Sequence, residues 1–125
     1  MINKKLFDLA KEATQQAYAP YSHFRVGAAL ITNTGNIYTG CNVENASYGL
    51  SICAERNAIF NMVTNGDRLI TEIAIYVDSD KIFPPCGACR QVLAEFGDDI
   101  KIYYGNDNQI TETTLKEILP HTFRL

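Results

Sequence analysis

Three cysteines and one glutamate hold the groups in this chain best suited to chemistry. Cys86 and Cys89, in PPCGACRQ at 84–91, are separated by two residues, a spacing at which two thiolates can share one metal ion. Cys53, in CAER at 53–56, is the candidate third ligand. Soft sulfur donors select zinc or an iron–sulfur centre, and the lack of any further Cys-x-x-Cys favours zinc. Three protein ligands leave a fourth position for water, whose pKa falls from 15.7 toward about 7 on zinc, whereas four ligands close the site. The remaining cysteine, Cys41, reads as a small buried residue, and His23 and His121 have no ligand partner near them in sequence.

Glu55 lies two residues past Cys53, and its position supports two readings equally. It is either an acid complementing the positive end of a helix or a proton carrier held beside the water at the metal. Three thiolates around a divalent ion leave residual negative charge, which calls for a nearby cation. Arg56, close to Cys53, and Arg90, next to Cys89, are the candidates for neutralising the thiolates. The alternative for each arginine is a surface salt bridge worth less than about 1 kcal/mol.

The elements that must position these groups are legible in the hydrophobic pattern. Apolar residues at helical spacing predict a helix over 4–18, ended by Pro20 and Ser22. Residues 25–32 and 37–41 read as two strands joined by the tight turn NTGN, an antiparallel hairpin. A polar stretch, 42–51, leads to a helix that begins near Cys53 and ends at Gly66. A strand over 72–78, a helix over 87–97, a hairpin of 100–104 with 109–112 and a short closing helix complete the order. Both cysteine-bearing helix starts follow loops, so both can meet at one edge of a sheet, where the helix dipoles favour thiolate over thiol. The expected fold class is a three-layer α/β/α domain around a mixed sheet of about five strands, with all of 1–125 as one domain.

The totals narrow the function classes. In 125 residues, 46% are apolar and 20% charged, the balance of a folded globular chain. A formal charge of -3 argues against a nucleic-acid backbone as partner and fits a small neutral or cationic ligand. No apolar run reaches the roughly 18 to 20 residues needed to span a bilayer, and the charged, amphipathic N-terminus is unlike a secretory leader. The cytoplasm is the expected compartment, where four cysteines favour metal or redox chemistry over disulfides.

CAE followed by PCGACRQ resembles the zinc signature of the cytidine deaminases, in the form with cysteine in place of the first histidine. YAPYSHFRVGAAL at 18–30, GCNVENASYG at 40–49 and EILPHTF at 117–123 also resemble segments of the small homotetrameric members, in the right order. The resemblance implies one zinc per subunit on Cys53, Cys86 and Cys89, with Glu55 carrying a proton from the water at the metal to ring N3 and then to the leaving amino group. Attack at C4 would turn cytidine and 2'-deoxycytidine into uridine and 2'-deoxyuridine with loss of ammonia, in pyrimidine salvage. It further implies that backbone N–H groups of Ala54 and Cys86 hold the base, that Asn42 and Glu44 hold the sugar hydroxyls, and that Phe24 packs beside the nucleoside. Tyr48 and Phe123 would reach a neighbouring subunit's site within a homotetramer. The loop DSDKIF at 78–83 carries no diagnostic residue.

Three rivals remain open at this level. A blasticidin-type deaminase would use the same centre on a different cytosine nucleoside. A structural zinc module would recruit Cys41 as fourth ligand and leave Glu55 idle. A thiol oxidoreductase using Cys86 and Cys89 would leave Cys53 and Glu55 unexplained.

Overall fold

The computed structural model describes residues 2–125. Its strands are β1 (Val26–Thr32), β2 (Ile37–Cys41), β3 (Ile70–Val77), β4 (Lys101–Gly105) and β5 (Ile110–Thr114), and its helices are α1 (Lys4–Ala13), α2 (Ala54–Thr64), α3 (Gly87–Ala94) and α4 (Leu115–Ile118). The strands form one mixed sheet in the order β2-β1-β3-β4-β5, in which only β3 and β4 run parallel.

Strand periodicity sorts the side chains into two cores. Ala28 and Leu30 of β1, Ile73 and Ile75 of β3 and Ile102 of β4 pack with Ala58, Ile59 and Met62 of α2, Leu93 of α3 and Leu115 of α4. Their neighbours Ala29, Ala74, Tyr76 and Tyr103 face the other way, onto Leu6, Phe7 and Ala10 of α1. The result is the expected three-layer α/β/α arrangement, with the two cysteine-bearing helices sharing one face.

Local chemistry moves several boundaries. α1 stops at Ala13, where the Thr14 hydroxyl bonds back to Lys11 O, and a 3₁₀ turn over Thr14–Gln16 follows. Tyr18, inside the helix expected from the sequence, is instead extended and pairs with Val43, its N–H on Asn42 O and its carbonyl on Glu44 N. α3 likewise ends at Ala94, and the carbonyl of Phe96, two residues on, accepts from Ile70 N at 2.8 Å, so β3 begins two residues early.

Gly40 sets how closely α2 lies on β2. A Cβ there would stand 2.3 Å from Ala58 N and 2.6 Å from Ala54 O, all backbone with no flexible end to yield. Gly40→Ala should therefore destabilise the fold by about 3 kcal/mol, the upper part of the usual overpacking range. Urea unfolding measures this, and a loss below about 0.5 kcal/mol would contradict such close packing.

Candidate metal centre and its pocket

The three sulfurs converge because each sits at a helix start. Cys53 is the N-cap of α2, Cys86 the N-cap of α3, and Cys89 lies in the first turn of α3. Their Sγ atoms all fall within 4.8 Å of one another, with Cys53 to Cys86 at 3.8 Å and Cys86 to Cys89 at 3.5 Å. Among the described residues, this is the only group of three or more such side chains placed to hold a metal. Cys41 is outside it, with its thiol pushed up by burial, and so are His23 and His121.

The helices at the centre differ from the other two in their caps. Asn3 caps α1 and Thr114 caps α4 through side-chain oxygens, whereas neither Cys53 nor Cys86 makes a side-chain cap bond. The capping residues therefore leave first-turn N–H groups, that of Ala54 among them, without a cap bond at the centre.

Charge at the centre is already organised around the sulfurs. A hydrogen bond from Cys89 pushes the Cys53 thiol down to about 5, with Arg56 and Cys86 adding to the effect. Cys89, hydrogen-bonded to Cys53 and buried, is pushed up in the absence of a metal. Arg56 Nη2 donates to Cys53 Sγ at 3.5 Å, since the i, i+3 spacing puts both on one helix face. Its Nε is buried with no partner among the described residues, a donor left over beside sulfur acceptors. Arg90, the other expected neutraliser, turns elsewhere: Nε donates to Pro85 O at 2.7 Å and Nη1 to Ile118 O at 2.9 Å. It ties α4 to the start of α3.

Glu55 is the only buried acid in the hydrophobic cluster's helix α2 and is 5% exposed. Burial pushes its carboxyl up to about 7, the charge on Cys53 adding to the rise. A carboxyl near 7 can accept or give a proton in neutral water, which exceeds what a dipole-complementing surface acid would require.

Glu55 opens into a cavity of about 200 Å³ lined by Val26, Asn42, Cys53, Ala54, Ile75 and Cys86, with Val77, Phe83 and Pro84 completing the wall. Phe83, in the loop that the sequence left without a role, meets Phe24 edge to face, ring centres 5.9 Å apart at 83°. The two residues expected to hold a sugar also hold the loop before β1. Asn42 accepts from Val26 N at 2.9 Å and donates to Phe24 O at 2.7 Å. The Glu44 carboxylate accepts the N–H groups of Tyr21 and Ser22, each at 3.0 Å, and the Ser22 hydroxyl. Glu44 and Tyr48 line a separate groove of about 350 Å³ with Tyr21, Ser22 and Ser51. Tyr48 and Phe123 are both exposed, and the carbonyl of Phe123 accepts from Gln91 Nε2 at 3.0 Å.

Comparison with known proteins agrees with this geometry. Residues 1–106 match the family model described as "Cytidine and deoxycytidylate deaminase zinc-binding region". The cytidine deaminase of Halalkalibacterium halodurans is 47% identical, covering 98% of this chain and 95% of its own. That of Sporosarcina psychrophila is 46% identical, covering 96% and 90%. The crystal structure of cytidine deaminase from Burkholderia pseudomallei superposes with a TM-score of 0.92 at 44% identity, over 98% of this chain and 100% of that one.

Proposed function

The chain belongs to the family of cytidine and deoxycytidylate deaminases, and from that premise we propose that it hydrolyses cytidine and 2'-deoxycytidine to uridine and 2'-deoxyuridine, releasing ammonia. The observation that carries this reading is the buried Glu55 carboxyl in the cavity that Cys53 and Cys86 also line. The donor set fits zinc: three sulfurs at mutual distances suited to a tetrahedral ion, with the unpartnered Arg56 Nε beside them. Cys53, Cys86 and Cys89 would hold it. When bound there, zinc supplies a water acidified toward a pKa of about 7.

The remaining chemistry belongs to the chain. A neutral cytosine ring resists attack at C4 until N3 is protonated, and Glu55 is the group that can deliver that proton and later pass one to the departing amine. Its raised pKa matches both duties, since it exchanges protons near neutrality. Free N–H groups at the starts of α2 and α3 are oriented before the substrate arrives and can take up the oxygen that develops at C4. Arg56 offsets charge on the sulfurs. Asn42 and Glu44, with Phe24, are assigned to the nucleoside, and Tyr48 and Phe123 to a neighbouring subunit's site in a homotetramer. Support for the latter is their wide exposure as large aromatic side chains.

No described helix is long and apolar enough to cross a membrane. Work in the cytoplasm, within pyrimidine salvage, suits four free thiols and a nucleoside substrate. The test is product identity: incubating the zinc-loaded protein with cytidine or 2'-deoxycytidine should give equal amounts of ammonia and the uracil nucleoside. Absence of both products would overturn the reading.

A further inference from the structure

Phe83 occupies a place that no expectation reserved for it. It lines the same small cavity as Cys53, Glu55 and Cys86, yet it comes from the loop before α3 and not from a helix start. The side chain is 47% exposed, so a large part of the ring is free toward solvent or a ligand. Its orientation is fixed from two sides. Phe24 abuts it edge to face, and the following Pro84 biases Phe83 to extended backbone, with the next residue, Pro85, fully buried as the anchor.

Reaction geometry says which part of a substrate this ring faces. In a cytosine, C4 lies between N3 and C5. If C4 is turned to the sulfur centre and N3 to Glu55, then C5 points to the side of the cavity away from Glu55. Glu55 comes from the first turn of α2, on the chain that carries Cys53, whereas Phe83 and Pro84 line the same cavity from the loop that leads into Cys86 and α3. At about 200 Å³ the cavity is below the roughly 300 to 1,000 Å³ of drug-sized ligand pockets and suits a single ring with little to spare.

We propose that Phe83 is a specificity residue that closes the cavity beside ring carbon 5, so that the chain selects cytosine nucleosides unsubstituted at C5 over those bearing a methyl or larger group. The inference rests on the deaminase reading above. A single methylene in an apolar pocket is worth about 10- to 200-fold in discrimination, so a change of this size is measurable.

The experiment compares kcat/KM for cytidine and 5-methylcytidine in the wild type, Phe83→Val and Phe83→Leu, all zinc-loaded, with thermal melting to confirm folding. The 5-methylcytidine to cytidine ratio should rise by about 10-fold or more in Phe83→Val and by less in Phe83→Leu, whose larger side chain keeps more of the wall. An unchanged ratio overturns the proposal, including the case in which both substrates slow equally, which would make Phe83 a general stacking surface. Wild-type protein inert toward cytidine itself would instead sink the deaminase reading, and this proposal with it. Phe83→Leu keeps the test decisive should Phe83→Val fold poorly.

Discussion

Glu55→Gln should cut turnover of cytidine by at least about 10²- to 10⁴-fold while leaving zinc content unchanged, since the proposed reading gives this side chain the proton and it is outside the group of sulfurs. The same substitution should stabilise the zinc-free chain at alkaline pH. The ordinary glutamate value is 4.5, and burial raises it to about 7 in the fold. Between those values the folded chain binds more protons than the unfolded one, so stability falls as pH rises through the window. A shift of this size corresponds to a penalty on the order of 3 kcal/mol once the carboxyl is ionised. Glutamine has the same shape and no proton to lose. Urea unfolding of the zinc-free proteins should therefore show the variant level from pH 4.5 to 8 at this site, and more stable than the wild type above 7. A Glu55→Gln protein with wild-type turnover would remove the proton-carrier role.

Cys89→Ser should have a comparable effect for a different reason. Cys89 is fully buried between the sulfurs and the core, so a serine there offers a harder, un-ionised oxygen in place of a thiolate. Zinc affinity should drop by more than about 100-fold, beyond what loss of an outer partner alone typically costs, and turnover should fall with it. Cys41→Ser is the matched control. Cys41 lies outside the sulfur group, at the end of β2, so its loss should leave zinc content and activity intact. Zinc counted per chain after dialysis distinguishes these outcomes. Retention by Cys89→Ser, or loss from Cys41→Ser, would point to a different ligand set.

Much of this arrangement was readable before any coordinates, because it depends on short-range rules. The near-continuous apolar runs of β1 and β3 announce strands buried on both faces, and the cysteines announce helix starts through their neighbours. Arg56 reaches Cys53 because three residues make nearly one helical turn. Arg90 shows the limit of adjacency: next to Cys89 in sequence, it points along another direction of the helix and binds carbonyls of Pro85 and Ile118. The carbonyl it meets 28 residues away leaves no local trace. Tyr18 departs from its helix for a similar reason, drawn into pairing with Val43 by a chain reversal that periodicity cannot register.

Phe83 is the plainest case of a site residue without a sequence signal. An aromatic before two prolines in a polar loop has no period and no partner nearby in the chain. Its meaning comes from Phe24, 59 residues earlier by number, which meets its ring, and from the sulfurs whose cavity Phe83 lines. The tethers from Asn42 and Glu44 to residues 21–26 are of the same kind. They secure the loop that carries Phe24, the ring against which Phe83 rests, through the same residues proposed for the sugar.

The claim on which everything else depends is an open centre with three sulfur ligands. X-ray absorption at the zinc edge of the loaded protein measures this directly. The account predicts three sulfurs at about 2.3 Å and one lighter atom per zinc. Four sulfurs around the metal would contradict it, since a closed site leaves no place for the water that Glu55 is positioned to serve.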